Sequence, residues 1–281
     1  MIAIPSPLKK LFDSLPLYTI HNEPLNSQPD NFFSFKVEGS SPLKVVLGVY
    51  NTFQYKEYVL PTDPRSLSAA IILAKKNSFG LPSSVNSGGA SGIAKIPFRG
   101  SFDSSLPILI GDSNNRTIES GGKIAQSIAA NNITSVDLEF INEYVESTLF
   151  DLWIVCLLVE EIDFNVYRDI FGIMDPLELM DLKSEMTKWN NFSTRHKSLF
   201  ESFQKPLALK NFYDVQLSQL TNSLTALEDI LDSVSGEEAI VAYKFASFVV
   251  IVDQFLKSTR VGMVLAANPL LIEKCYGVCL N

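Results

Sequence analysis

Residues 106–130, with the sequence LPILIGDSNNRTIESGGKIAQSIAA, decide the fold of the first half of this chain. The apolar run LPILI predicts a strand, and Pro107 must lie at an edge or at the strand's start, because proline cannot donate to a sheet. The next residues, Gly111 to Asn115, favour a tight turn, and Arg116 to Ile118 can pair back as a second strand. A small-residue amphipathic segment from Glu119 to Ala130 is typical of a helix. We therefore predict strand, turn, strand and helix.

The residues before this unit predict a second set of elements. Lys44 to Phe53 is an almost continuous apolar and β-branched run, which is typical of an interior strand covered on both faces. After a connection at 54–62, residues 63–76 predict a helix, because their first two residues are a capping aspartate and a proline. A Gly- and Ser-rich loop at 83–92 and a strand at Ile93 to Phe98 follow. The resulting order of β, α, β, β, β, α predicts one parallel crossover and one antiparallel hairpin.

The first 43 residues are expected to form a lead and a linker outside this domain. Leu8, Leu11 and Phe12 share one face of a short amphipathic turn, with lysines on the other side. Two interpretations stay open: a tail docked on its own domain, or a segment that binds a partner or a membrane surface. Residues 21–42 are rich in Asn, Ser, Pro and Gly, which predicts a linker or a partly ordered loop.

The second half of the chain predicts helices only. A capping pattern at Thr134 to Asp137 precedes apolar residues at helical spacing, which predicts one long helix over 137–161. Further helices are predicted at residues 164–172, 176–203, 206–232, 237–257 and 268–276. We therefore divide the chain into a lead at 1–43, an α/β domain at 44–132 and an all-α domain at 133–281.

Composition favours a soluble or peripheral protein. Hydrophobic residues make up 46% of the chain, enough for a large core and for apolar surface that meets a partner. No apolar run reaches the roughly 18 uncharged residues of a membrane-spanning helix. The net charge of −8 argues against nucleic acid as a partner. With no secretory signal at the N-terminus, the three cysteines are most simply reduced thiols in a cytosolic compartment.

The residues offer no catalytic, cofactor-binding or metal-binding constellation. Thiol redox chemistry needs a cysteine where the first strand meets the first helix, and the first cysteine in the chain is Cys156. The two histidines are far apart, which argues against an imidazole metal site. Hydroxyl groups near the strand-to-helix corner are of a type that could activate the thiol of a bound glutathione, so the residue types alone do not exclude this activity. These hydroxyl groups belong to Tyr50, Tyr55, Tyr58 and Ser66.

The unit at 106–130 resembles the second half of a glutathione-transferase-like thioredoxin domain. The resemblance rests on a Leu-Pro-x-Leu strand, a hairpin and Ile-Glu-Ser at the start of a helix. In that comparison Glu119 and Ser120 would hold the γ-glutamyl end of glutathione, but we prefer the simpler interpretation of a helix cap with an acidic first turn. The expected fold is α/β plus all-α, glutathione-transferase-like, with a thioredoxin-like N-terminal half and a helical C-terminal half.

Several segments together resemble the metaxin-like family. They are the lead IPSPLKKLFDSLPLYT, the blocks LGVYNTF and LPTDPRSLSAAIILAKKNSFGLP, the hairpin LPILI with RTIESGGKIAQSI, and ESTLFDLW. The similarity spans most of residues 1–160. It is closest to the smaller fungal metaxin-like subunits of the mitochondrial sorting and assembly machinery.

This resemblance implies a non-enzymatic peripheral protein on the cytosolic face of the mitochondrial outer membrane. Such proteins pair with a second metaxin-like subunit, bind a β-barrel insertase and help to recognise the β-signal of barrel precursors. Leu8, Leu11 and Phe12 are then the candidate partner-binding residues. We expect the β-signal along a sheet edge, or in a groove between the α/β domain and the helix at 137–161. The alternatives are a soluble glutathione transferase and a transferase-like interaction domain.

Overall fold

The structure of the protein, a computed structural model, describes residues 31–36, 44–83, 89–100, 105–112, 116–120, 124, 135–201, 205–232 and 236–280. Strands and one long helix make up the N-terminal part, and helices make up the C-terminal half. From residue 135 onward, the described residues contain no strand. The coarse prediction of an α/β region followed by a helical half is confirmed.

Seven strands are described in the N-terminal part. They are β1 (Phe32–Ser34), β2 (Val45–Val49), β3 (Thr52–Tyr55), β4 (Tyr58–Pro61), β5 (Gly92–Lys95), β6 (Ile108–Asp112) and β7 (Arg116–Ser120). Five of them form one sheet in the order β1-β5-β2-β6-β7, with β2 and β5 parallel and the other neighbours antiparallel. β3 and β4 form a separate antiparallel hairpin. The predicted parallel crossover and antiparallel hairpin are both present.

The β6–β7 hairpin confirms the strand, turn and strand predicted from LPILIGDSNNRTI. The Leu-Pro peptide before β6 is cis. The second strand is longer than predicted, because β7 pairs its last residue, Ser120, with Ile108. Glu119 and Ser120 therefore lie in the ladder, and the prediction that they open a helix is wrong. Of the predicted helix, Ile124 is described and helical, whereas residues 125–130 lie outside the described residues.

Strand β1 lies in the segment that the sequence predicted as a linker. It pairs antiparallel with β5, and Phe35 immediately after it is fully buried. The short aromatic run FFSF is surrounded by polar residues and has no clear alternation of apolar and polar residues. It forms a strand because its aromatic side chains are buried. Gly92 of β5 permits the close pairing, because a Cβ there would lie 2.3 Å from the carbonyl oxygen of Phe33.

The single strand predicted at 44–53 is divided into two. After β2 the chain bends and continues as β3, which returns through a tight turn into β4. Lys56 in that turn has a φ of 54°, the left-handed conformation that a two-residue hairpin turn needs. Thr62 closes the base of the hairpin, donating from its backbone N–H to the Asn51 carbonyl (3.2 Å) and from its hydroxyl to the Ile170 carbonyl (2.6 Å). The hairpin replaces the irregular connection that the sequence predicted.

Helix α1 (Pro64–Lys76) confirms the helix predicted at 63–76. The Asp63 side chain accepts a hydrogen bond from the Ser66 backbone N–H at 2.9 Å, and Pro64 takes the first helical position. The predicted apolar face is buried, and α1 packs against β4 and a helix of the second half. That face consists of Leu67, Ala70, Ile71 and Ala74.

Ten α-helices are described from residue 136 onward. They are α2 (Val136–Glu143), α3 (Phe150–Val159), α4 (Phe164–Phe171), α5 (Pro176–Met186), α6 (Phe192–Arg195), α7 (Lys197–Glu201), α8 (Lys205–Asp232), α9 (Gly236–Phe255), α10 (Arg260–Ala266) and α11 (Pro269–Leu280). A π-helical turn, Tyr144–Leu149, joins α2 to α3. A 3₁₀ turn, Trp189–Asn191, precedes α6.

Two predicted helices differ from the observed ones, and one observed helix was not predicted. The helix predicted over 137–161 is present, but its middle turn is π-helical. The helix predicted over 176–203 is broken, because Asn190 and Asn191 adopt left-handed conformations with φ of 53° and 54°. The sequence analysis missed α10, whose start is capped by Thr259.

Helix α9 joins the two parts of the molecule, since it packs against both α1 and α11. Most of its residues between Val241 and Val252 are fully buried, which is typical of a central core helix. Among the described residues, no single helix is long and apolar enough to cross a membrane. The bent pair Glu238–Phe255 and Arg260–Ala266, at 111° to each other, meets that test jointly by length and composition only.

Candidate functional site

The predicted partner-binding residues lie outside the described part of the chain. Leu8, Leu11 and Phe12 precede residue 31, where the described residues begin. Their role stays a prediction. The described residues do include the predicted groove and the candidate hydroxyl groups, which lie at the boundary between the sheet region and the helices.

The boundary between the strand-to-helix corner and α3 is filled by aromatic side chains. The Tyr50 ring centroid lies 5.2 Å from that of Phe171 and 5.5 Å from that of Trp189. Trp153 of α3 lies 5.8 Å from Phe171 and stacks on Trp189 at 6.4 Å. All four rings are buried. At this place the structure has a packed core where the sequence predicted a groove.

A polar network crosses the same boundary at the π-helical turn. The Glu146 carbonyl accepts hydrogen bonds from Arg65 Nη2 and Asn190 Nδ2, both at 3.2 Å. In an α-helix, each backbone carbonyl accepts a hydrogen bond from the N–H group four residues later in the chain. The backbone hydrogen bonds are altered in a π-helical turn, which fits a carbonyl that accepts from side-chain donors. The Glu146 carboxylate pairs with Lys244 of α9. One residue of the π turn thus connects α1, the 3₁₀ turn and α9.

Arg65 is a partly buried cation at the start of α1. Its guanidinium carbon lies 3.8 Å from the centroid of the Phe150 ring, which is a close cation–π contact. Burial lowers the pKa of Arg65, while the carboxylates of Glu146 and Asp151 raise it. The residue therefore fixes the sheet region to α3 through both charge and stacking.

Asp151 is a buried carboxylate that contacts Arg195 and His196. Its side chain is 2% exposed, and its oxygens lie 2.6 Å from Arg195 Nη2 and 2.9 Å from His196 Nε2. His196 is also packed between rings, 5.0 Å from the Phe192 centroid and 4.7 Å from that of Phe212. This arrangement holds α6 and the residue after it against α3, which is a structural use of the carboxylate.

Two of the four hydroxyl groups that could activate a thiol, those of Tyr50 and Ser66, are occupied or buried. The Tyr50 hydroxyl accepts a hydrogen bond from the Leu106 backbone N–H at 3.1 Å, and Ser66 is fully buried. Tyr55 stacks on Tyr276 of α11 with ring centroids 4.5 Å apart. The hydroxyl groups of Tyr50 and Ser66 are therefore not accessible to a ligand at the start of α1. Glutathione-transferase chemistry gains no support from this geometry.

The three cysteines are buried free thiols. Burial raises the pKa of Cys156 to about 11 and that of Cys279 to about 12, and it also raises the pKa of Cys275. A thiol with a raised pKa is a poor nucleophile at neutral pH. Within the described ranges, no three His, Cys, Asp or Glu side chains are placed to hold a metal ion.

Two surfaces remain as candidates for binding a partner. A pocket of about 210 Å³ lies between α1, the segment after it and the end of α11. Its lining residues are Lys36, Tyr58, Ile71, Ala74, Lys75, Phe79, Gly80, Leu81, Cys279 and Leu280. The β3–β4 hairpin lies beside this pocket through Tyr58, and its outer strand β3 is half-exposed. The residues TFQY-KE-YVL, two apolar–polar runs around a two-residue turn, are the signal that could have predicted this hairpin.

The comparisons with known proteins agree with the resemblance drawn from the sequence. A family model described as SAM35, a subunit of the SAM complex, matches residues 2–111. The Sorting assembly machinery 35 kDa subunit of Saccharomyces cerevisiae is 24% identical to this chain over 289 residues, an alignment that covers 88% of each protein. The resemblance to a sorting and assembly machinery subunit is confirmed.

The match to the SAM35 family covers most of the residues that carry the candidate surfaces, but not the end of α11 that lines the pocket. It includes the lead with Leu8, Leu11 and Phe12, and the sheet region through β1 to β5 with the β3–β4 hairpin. The alignment with the yeast subunit extends this similarity over the helical half. The name of the related protein describes a subunit of a sorting and assembly machinery.

Proposed function

We propose that this protein is a non-enzymatic peripheral subunit of the mitochondrial outer-membrane sorting and assembly complex. On the cytosolic face of the membrane it binds the β-barrel insertase and a second metaxin-like subunit. There it helps to recognise the β-signal of barrel precursors during their insertion. The observation that carries the proposal is the SAM35 family match over residues 2–111, together with the alignment over 88% of the yeast subunit.

The structure supports a binding role over a catalytic one. The sheet order, the cis peptide before β6 and the helical second half are consistent with a glutathione-transferase-like fold. The corner where such a fold would hold its thiol is occupied by Tyr50, Ser66 and the aromatic cluster. Because a fold does not by itself decide function, the closed corner favours a scaffold role over a transferase role for this chain.

The surface of α5 offers apolar contact area in addition to the lead. Met174, Leu177 and Met180 are 80%, 73% and 70% exposed and lie on or immediately before one helix. Exposed apolar side chains that are grouped in this way are typical of surfaces that meet another protein. They support a subunit that is covered on this side by a partner in its complex.

The proposal is tested by affinity isolation of the tagged protein from mitochondria in mild detergent, with partners identified by mass spectrometry. We expect an outer-membrane β-barrel insertase and a second metaxin-like chain to be recovered. A wholly cytosolic protein that recovers neither, and that is retained on glutathione resin, would instead support the soluble transferase.

The role of the lead is tested by changing Leu11 and Phe12 to Asp. If these side chains bind the barrel subunit, two buried charges should release the protein from the membrane fraction while its thermal unfolding stays unchanged. The matched control changes Lys9 and Lys10 to Asn, on the other side of the predicted turn. Unaltered membrane association of the Asp variant would refute the assignment of Leu8, Leu11 and Phe12.

A further inference from the structure

The hydrogen bonds of the β3–β4 hairpin show which backbone groups point away from it. The Thr62 N–H donates to the Asn51 carbonyl, so these two residues form a hydrogen-bonded pair at the base. Hydrogen-bonded and non-hydrogen-bonded pairs alternate along an antiparallel ladder. In the observed register, Thr52 opposite Pro61 and Gln54 opposite Val59 are therefore non-hydrogen-bonded pairs. Their N–H and C=O groups point outward.

The two edges of this hairpin differ. On the β4 side, the outward N–H of Val59 donates to the Pro82 carbonyl at 2.8 Å, so the following segment covers this edge. On the β3 side, the backbone groups of Thr52 and Gln54 have no hydrogen-bond partner among the described residues. Gln54 is exposed, and its side-chain amide turns back to the Lys56 carbonyl at 3.2 Å. β3 thus presents an open strand edge, where the outward N–H and C=O groups of both residues can pair with an added strand.

The hairpin is fixed firmly enough to act as a template. Asn51 Nδ2 donates to the Asp169 carbonyl at 2.8 Å and holds the base against α4. On one face, Phe53 packs edge-on against Phe255 at 5.3 Å, and Tyr55 stacks on Tyr276 at 4.5 Å. A segment that binds here meets a strand already held in place, so little ordering of the hairpin opposes binding.

The two faces of β3 define the side chains that such a segment would carry. The face with Phe53 and Tyr55 is aromatic and half-buried, and the face with Thr52 and Gln54 is polar. Side chains of an added strand alternate between the same two faces. The segment that fits is therefore extended, with alternating apolar and polar residues, which is also the pattern of a membrane β-barrel strand.

We propose that the open edge of β3 binds the β-signal strand of a barrel precursor by strand addition. This inference rests on the proposed function and adds the site and the mode of binding. The backbone groups of Thr52 and Gln54 supply the hydrogen bonds, and Phe53 and Tyr55 contact alternate apolar side chains of the precursor. A mode based on backbone pairing explains how one site accepts many sequences that share only their alternation.

The test uses the purified full chain and a fluorescent synthetic peptide of the last strand of a mitochondrial porin. Binding is measured by anisotropy, with a scrambled peptide that lacks the alternation as the control. Gln54→Pro removes one outward N–H without touching a hydrogen bond inside the hairpin, since proline is tolerated at this kind of edge position. Gln54→Ala keeps the N–H and serves as the matched control. We expect about fivefold to tenfold weaker binding for Gln54→Pro, from the loss of one hydrogen bond, and unchanged binding for Gln54→Ala.

A second measurement does not depend on the folding of a variant. The same peptide is N-methylated at alternate residues, in two versions that block one or the other set of N–H groups. Strand addition requires that one version loses binding to the wild-type chain and that the other keeps it, because only one set faces β3. Equal binding of both versions, or no binding of the unmodified peptide, would overturn the inference.

The outcomes separate this inference from the proposed function. If the protein is isolated with the barrel insertase but neither Gln54→Pro nor the methylated peptides alter binding, the site is wrong and the assembly role stands. If no insertase is recovered from mitochondria, the proposed function itself fails, whatever the peptide result.

Discussion

Asp63 is a buried carboxylate that caps α1, and replacing it with asparagine should stabilise the protein at neutral pH. Asp63 is 1% exposed; one oxygen accepts from the Ser66 N–H, and the other has no hydrogen-bond partner among the described residues. Burial raises its pKa from 3.8 to about 6, although the hydrogen bond from the Ser66 backbone N–H and the charge of Arg65 oppose the shift. The folded state therefore holds the proton more tightly than the unfolded state does.

The sign of the pH dependence follows from this shift. Below pH 3.8 the carboxyl is protonated in both states, and it contributes no pH dependence. Between pH 3.8 and about 6 the unfolded state ionises first, so the free energy of unfolding falls as pH rises. Above that range the carboxyl is ionised in both states, and its burial lowers the free energy of unfolding by a constant amount, about 3 kcal/mol for a shift of this size. The variant Asp63→Asn would carry no such penalty, and its side-chain oxygen can still cap the helix.

The net gain is smaller than the full penalty. Asparagine loses the attraction to the helix N-terminus, about 0.5 kcal/mol, and its amide N–H₂ needs an acceptor, which costs about 1 kcal/mol if none is found. The Ser66 hydroxyl is the neighbouring group that could accept, since it too lacks a partner among the described residues. We expect Asp63→Asn to unfold in urea with a free energy about 1–2 kcal/mol higher than wild type at pH 7.

Urea unfolding from pH 4 to pH 7.5 tests the reasoning, because the difference between wild type and Asp63→Asn isolates this one carboxyl. The difference should shrink as pH falls through 6. Asp63→Ala is the control that removes both the charge and the cap, and the lost cap should cost about 1 kcal/mol relative to Asn. A less stable Asn variant at pH 7, or a difference independent of pH, would show that the Asp63 charge is stabilised in the fold.

Two further substitutions, each with a control variant, test a close packing contact and a buried carboxylate. Gly92→Ala places a Cβ 2.3 Å from the Phe33 carbonyl oxygen, so we expect the free energy of unfolding to fall by about 2–3 kcal/mol. The control is Gly236→Ala, because no described atom lies within 4 Å of the added Cβ, and its φ of 61° should lower the free energy of unfolding by about 1 kcal/mol. Equal decreases in the two variants would contradict the close approach of β1 and β5. Asp151→Ala leaves Arg195 without its carboxylate and should cost about 2 kcal/mol in urea unfolding, less than a fully buried pair because Arg195 is 35% exposed. Asp151→Asn keeps a side-chain acceptor, so its free energy of unfolding should fall by less than that of Asp151→Ala. Identical decreases would argue against the hydrogen bonds to Arg195 and His196.

The elements with strong local signals were predictable from the sequence. Asp63 and Pro64 at the start of α1 combine a cap with a proline, and LPILIGDSNNRTI contains a turn between two apolar strands. These signals depend on residues close in sequence, so no tertiary information is needed. Most helices of the second half follow for the same reason, but the sequence analysis missed the break at Asn190 and Asn191 and the short helix α10.

The elements without a local signal depend on distant partners. β1 is a strand because FFSF is buried beside β5, which comes much later in the chain and whose Gly92 leaves room for it. The π-helical turn at Glu146 coincides with contacts from Arg65, Asn190 and Lys244, which lie on three other elements. No pattern within 137–161 contains those contacts, so the sequence predicted an uninterrupted helix.

The same contacts argue against the binding of a precursor strand in the predicted groove. Between the sheet region and α3, Trp153 and Trp189 fill the space, and Arg65 and Glu146 join the two parts by hydrogen bonds and charge. A precursor strand could enter there only by separating these packed rings and breaking several partly buried polar contacts. The edge of β3 has the opposite properties, because its outward backbone groups have no partner among the described residues and its aromatic face is held by α9 and α11. Binding at that edge adds hydrogen bonds without breaking any that the fold needs.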